Sequence, residues 1–152
     1  MPIITLTSDP IDLTAVSRSV EAPDAGAVVT FAGNVRDNAR GKRVLFLEYE
    51  AYMPLARKHL HRIATEAEER WSVRCAVAHR LGRLEIGECS VAVAVASAHR
   101  GEAFEACRWL MDTLKATVPV WKKEYFEGGA CWIEGPEAVP SPPALETTMA
   151  SS

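Results

Sequence analysis

The run Cys89-Ser90-Val91-Ala92-Val93-Ala94-Val95-Ala96-Ser97 reads as a strand that is apolar on both faces. Valine alternates with alanine, so a side chain pointing either way avoids water. Such a strand belongs in the middle of a sheet covered on both sides. The next residues, Ala98-His99-Arg100-Gly101-Glu102, turn the chain into a helix running to about Thr117. Phe104, Cys107, Leu110, Met111 and Leu114 form its apolar stripe. Pro119 lacks an N–H and pushes Val118 out of the helical region, so the helix stops near Thr117. Lys115 then falls in the last turn, where the negative end of the macrodipole favours a cation. Beyond Pro119 an extended segment puts Trp121 and Lys123 on one face and Lys122 and Glu124 on the other.

Outward from this core, residues 3–7 form a short β-like run and residues 11–20 a weak helix opened by Asp9-Pro10. Residues 27–35 are rich in Val, Thr and Phe and read as a strand, in which Gly33 marks a bulge or a close backbone approach. Residues 36–43 make a polar loop with four cations and one anion, whose composition predicts mobility when empty. It is either an ordinary solvated hairpin loop or a lid over an anion. In the strand 44–52, Leu45, Leu47, Tyr49 and Ala51 alternate against Phe46, Glu48 and Glu50. A long helix covers 53–71 with Ala56, Leu60, Ile63, Ala67 and Trp71 as its stripe, followed by a strand over 73–81. Residues 82–88 are a Gly-bounded connection with a short extended core, and a hairpin of strands 120–126 and 130–134 closes the ordered part. The order β-α-β-β-α-β-β-α-β-β gives an α+β fold with a mixed or mainly antiparallel sheet. Residues 1–134 read as one domain, and the Pro-rich stretch 135–152 as a flexible tail.

Composition bounds the function. A net charge of −3 and a pI near 5.8 argue against a general nucleic-acid or anionic-membrane binder, without excluding a local basic pocket. No apolar run approaches the ~20 residues of a membrane span, and the start MPIITLTSDP lacks a signal-peptide pattern, so a cytoplasmic location is expected. Cys75, Cys89, Cys107 and Cys131 form no CxxC pair and read as small buried hydrophobes. His59 and His61, two apart on a helix, diverge, and no metal site is expected.

Chemistry concentrates in two places. His99 and Arg100 sit where a buried strand feeds a helix, a natural anion site, although His99 also reads as a cap or a satisfied core residue. Lys115, Lys122 and Lys123 cluster where that helix ends. They read as a helix terminus followed by a solvated strand, or as lysines converging on one anionic or electrophilic ligand. Like-charge repulsion would lower the pKa of one of them and make it a nucleophile or proton acceptor. Protonated, they would simply hold a phosphate. His99 and Lys115 lie about 22 Å apart along one helix. Either the ligand is long, or a second subunit brings one group to the other.

Five stretches, in order, resemble one family: Phe31-x-Gly33-x-Val35-Arg36, Leu47-Glu48-Tyr49-Glu50-Ala51-Tyr52, His79-Arg80-Leu81-Gly82, Ser97-Ala98-His99-Arg100-x-x-Ala103-Phe104, and Lys115-x-x-x-Pro119-x-Trp121-Lys122-Lys123-Glu124. The family is that of the large, catalytic molybdopterin synthase subunits, the MoaE family. The resemblance implies an α/β hammerhead-like fold with an additional antiparallel β-sheet. It implies conversion of cyclic pyranopterin monophosphate (precursor Z) to the molybdopterin dithiolene in molybdenum cofactor biosynthesis. Sulfur would come from the C-terminal Gly-Gly thiocarboxylate of a small ubiquitin-like subunit, in a heterotetramer built on a homodimer of the large subunit, with no metal or other cofactor. Position by position, Lys115 matches the lysine that meets the thiocarboxylate, and Lys122 the one that assists substrate binding and proton transfer. Arg36, His99 and Arg100 match pterin- and phosphate-binding positions, and Arg70 a further basic position. Phe31 and Met111 would line the pocket, and Glu124 would support Lys122. Some members carry an Arg after the final strand that reaches into the partner's site. Here that region is Gly135-Pro136, so the phosphate clamp is looser or a residue such as Arg40 substitutes. The rivals are a non-catalytic module that binds a ubiquitin-like tail or a phosphate ligand, and a Lys Schiff-base enzyme acting on a carbonyl substrate.

Overall fold

A computed structural model of the chain describes residues 1–133. In order, the elements are β1 (Ile3–Thr7), α1 (Leu13–Arg18), β2 (Ala27–Asn34), β3 (Asn38–Ala39), β4 (Lys42–Ala51), α2 (Met53–Trp71), β5 (Arg74–Arg80), β6 (Gly82–Glu85), β7 (Cys89–Ser97), α3 (Arg100–Thr117), β8 (Val120–Phe126) and β9 (Gly129–Ile133). The α+β reading holds. The short strand β3 is added inside the stretch read as a loop, and β6 is the short extended core read in the connection. The stretch from Gly135, read from the sequence as a flexible tail, lies outside the described residues.

The Val/Ala strand β7 takes an inner position in a four-stranded sheet of order β1-β5-β7-β2. β1 runs parallel to β5, and the other pairings are antiparallel. The alternation along β7 sorts by helix size. Val91, Val93 and Val95, with Cys75 and Val77 of β5, face the main core beside Leu60 and Ile63 of α2 and Cys107 and Leu110 of α3. Ala94 and Ala96, with Ala76, face Val16 and Val20 at the six-residue α1. Bulky side chains thus meet the long helices, and small ones let a short helix lie close. Leu60 and Leu110 are fully buried, each contributing about 1.5–3 kcal/mol of transfer free energy.

Pro54 in its first turn and Ser72 in the left-handed region (φ 54°) bound α2. The stripe expected on α3 is corrected at one residue. Phe104 is 61% exposed, whereas Ala103 and Ala106 are buried. At about 100° per residue, Ala103 shares an azimuth with Cys107, Leu110 and Leu114, and Phe104 is turned to the rim. Among the described residues no helix is long and apolar enough to cross a membrane.

The second sheet has five strands, β3-β4-β8-β9 with β6 also paired to β4, all antiparallel. Its buried cluster is Val35, Val44, Leu47 and Leu84. The simple alternation expected for β4 fails at its start. Val44 pairs with Phe126 and Phe46 with Tyr125, so Leu45 is an extra, bulged residue and is 43% exposed. Beyond the bulge, Leu47 and Tyr49 share the inward face as read. Gly33 is both a register shift and a close approach: a Cβ there would lie 2.9 Å from Val91 Cγ1 and 3.3 Å from Phe31 Cε2. Between β3 and β4 the chain reverses through Arg40 (φ 50°) and Gly41 (φ 79°). Two consecutive positive φ angles are the signature of a type I′ hairpin turn.

Candidate active site

The two sheets and the C-terminal end of α3 line a half-open cavity of about 330 Å³. Each wall has a local cause. Pro119 ends α3 after Lys115, and β8 starts at Val120, which delivers Lys115 and Lys122 to one place. Alternation along β8 then turns Val120, Lys122 and Glu124 to the cavity, while Trp121 packs edge-on against Tyr52 on the other face. Met111, one turn before Lys115, and Leu114, immediately before it, line it from α3. Phe31 and Gly33 come from β2. Arg36 follows Val35, whose N–H donates to the Glu88 carbonyl at 2.9 Å and whose carbonyl accepts from the Gly87 N–H at 2.9 Å. That clamp fixes where the cationic loop leaves the sheet.

Of the nine residues singled out in the sequence, one chain brings six to this cavity: Phe31, Arg36, Met111, Lys115, Lys122 and Glu124. The other three lie elsewhere. His99 is the N-cap of α3, with no side-chain cap bond, and Arg100 opens the helix; both are exposed at the end opposite Lys115. Arg70 lies over the Trp71 ring, 4.4 Å from its centroid, and 5.9 Å from that of Trp109.

Glu124 is the only carboxylate among the described residues lining the cavity, and its side chain is 5% exposed. It holds two cations. Arg40 Nη2 donates to Oε1 at 2.5 Å, and Lys122 Nζ stands 3.5 Å from Oε2. The Lys122 pKa lies below the ordinary lysine value. Burial is the largest cause; Glu124 opposes it, and the charges of Lys115 and Arg40 add smaller downward pushes. The repulsion anticipated from the lysine cluster is therefore present but secondary to desolvation.

Sequence reasoning did not single out the polar floor. Tyr49, His79 and Ser90 line the cavity too. The His79 ring meets Tyr49 edge-on at 5.1 Å, and Ser90 Oγ donates to the Gly33 carbonyl at 3.1 Å. Burial pushes the Tyr49 phenol up, a hydrogen bond with Ser90 works against this, and the Glu124 charge adds to it. Both Tyr49 and His79 lie inside stretches quoted above, and the inward alternation Leu47-Tyr49 was an available signal for the first.

His79 is 4% exposed, and its Nδ1–H donates to the Arg80 carbonyl at 2.9 Å. Burial holds its pKa at about 4, below the ordinary 6.5. The unfolded chain therefore binds the extra proton first, and stability is lost as pH falls from 6.5 towards 4. The gap corresponds to about 3 kcal/mol. Urea unfolding at pH 7 and pH 4.5 should show wild type losing roughly 2–3 kcal/mol more than His79→Gln. Equal losses would refute the assignment.

A family model described as MoaE protein matches residues 6–117. The molybdopterin synthase catalytic subunit of Arabidopsis thaliana is 48% identical over 128 residues, which are 84% of this chain and 65% of the plant protein. That of Halalkalibacterium halodurans is 44% identical over 129 residues, covering 84% of this chain and 83% of the relative. Among solved structures, molybdopterin synthase from Staphylococcus aureus aligns with a TM-score of 0.82 at 37% identity, covering 84% of this chain and 94% of that one. The family match spans β2 through α3, both long helices and Lys115 included, and so the chain belongs to the MoaE family.

Proposed function

We propose that this chain is the catalytic subunit of a molybdopterin synthase, acting in the cytoplasm through a single domain over residues 1–134. It transfers sulfur from the thiocarboxylated C-terminus of a small ubiquitin-like subunit to precursor Z, forming the dithiolene. The observation that carries this reading is the convergence of Lys115 and Lys122, from a helix end and a strand, on one half-open cavity with a single buried carboxylate among the described residues.

The geometry divides the work. Lys115 is exposed in the last turn of α3, at the rim, where an incoming anionic C-terminus meets it first. A tethered thiocarboxylate held there has a high effective concentration at the substrate. Lys122 is half-buried and tied to Glu124. Desolvation brings its proton nearer to transfer, which suits a group that donates and accepts during sulfur addition. Arg36 adds bidentate donors for a phosphate at the same cavity. Phe31 and Met111 supply apolar wall for a flat ring. His99 and Arg100, at the far end of α3, cannot reach this cavity's lysines, so their phosphate-binding role requires the second large subunit of a homodimer, and Arg70, at the end of α2, would add its charge from there.

The test is a single-turnover reaction of the full chain with thiocarboxylated small subunit and precursor Z, read by mass spectrometry. Product carrying two added sulfurs is expected. A formed complex that yields no product would leave only a module that binds the small subunit's tail.

A further inference from the structure

We infer that Arg40 is a positioning residue for Lys122, acting through the carboxylate that the two cations share. The inference rests on the reading of Lys122 as a working group of the cavity, and it concerns a residue outside the lysine motif.

Three observations carry it. The first is the division of Glu124. Arg40 takes Oε1 at 2.5 Å, and Lys122 faces Oε2 at 3.5 Å, so the tighter partner of this carboxylate is the arginine. The second is burial. The Glu124 side chain is 5% exposed, while those of Arg40 and Lys122 are 37% and 34% exposed. The anion is fixed on β8, opposite Leu47 of β4, and the cations come to it from two sides. The third is backbone strain. Arg40 occupies the first central position of a type I′ turn at φ 50°, where an asparagine or glycine sits readily and another residue costs about 1 kcal/mol. Strain of this kind persists where the surroundings fix it. The side chain of this residue is held by an ion pair to a residue 84 positions away in sequence.

The consequence is electrostatic. Lys122 is faced by Glu124 on its own strand, Tyr49 across the sheet on β4, His79 on β5 and Lys115 on α3. Arg36 and Arg40 face it from the connection between β2 and β4. With one lining carboxylate for these cations, whatever Arg40 takes from Glu124 is withheld from Lys122. Arg40 also repels the ammonium directly, in the direction of the lowered Lys122 pKa. Removing the guanidinium hands Glu124 to the lysine and stabilises its charged form.

Arg40→Asn separates this role from a role in the turn. Asn-Gly is the favoured type I′ pair, so the hairpin is kept while the guanidinium is lost. The measurement is a pH titration of Lys122 in the uniformly ¹³C-labelled full chain, followed by its Cε shift and assigned by loss of the signal in Lys122→Gln. The midpoint should move to higher pH in Arg40→Asn and return most of the way in Arg40→Lys. In the single-turnover assay, the limb of the pH–rate profile that reports Lys122 should move the same way. A midpoint that is unchanged or lower in Arg40→Asn overturns the inference. A midpoint that rises without any change in the pH–rate profile leaves Arg40 positioning Lys122 and removes Lys122 from the catalytic reading.

Discussion

Lys115→Ala is expected to lower the single-turnover rate of dithiolene formation by about 100-fold, the scale on which one lost charge-stabilising group acts in an active site. Its effect on folding should stay within about 1 kcal/mol. The side chain is exposed at the end of α3, and only its favourable contact with the helix dipole is lost. A thermal melt beside the kinetic trace separates the two quantities. A melt close to wild type with no two-sulfur product assigns the residue to chemistry. Product at the wild-type rate would show that the thiocarboxylate does not depend on this lysine. Lys122 gives a less clean test, because its removal also alters the charge balance of the buried Glu124.

The largest effect on stability should come from Leu110→Ala. Leu110 is fully buried between α3 and the sheet, beside Val91, Val93 and Val95 in the main core. Truncation removes transfer free energy and leaves a cavity, at a cost of about 2–5 kcal/mol. At this chain length each kcal/mol lowers the melting temperature by roughly 2–4 °C. A fall of about 6–12 °C is therefore expected for a loss near 3 kcal/mol. Phe104→Ala is the matched control. The ring is 61% exposed, and its loss should cost well under 1 kcal/mol in the isolated chain. Equal losses from the two variants would contradict the helix orientation described here.

What could be read from the sequence and what could not divide along physical lines. Local rules worked where burial is extreme. The Val/Ala alternation placed β7 inside its sheet, Pro119 ended α3, and β8 turned Lys122 and Glu124 to one face. They failed where neighbours decide. Periodicity alone put Phe104 in the stripe, because a large apolar side chain one step from the buried azimuth is indistinguishable from a core residue until the facing strands are known. The bulge at Leu45 is likewise a property of the β4–β8 register, which no single strand reveals. The cavity floor of Tyr49, His79 and Ser90 is assembled from three different strands of two sheets. Nothing in their spacing announces that they meet. Arg40 is the clearest case: a residue of a polar loop whose partner is 84 positions away.

The burial of β5 and α3 bears on reactivity as well as packing. A thiol reacts as its thiolate, and thiolate is scarce where charge is poorly solvated. Burial pushes Cys75 up to about 12 and Cys107 up to about 11, and raises Cys89 above its ordinary value. At neutral pH these three side chains are held in their inert, protonated form. A protein proposed to pass an activated sulfur from one molecule to another thus keeps most of its own sulfur from exchanging with its cargo.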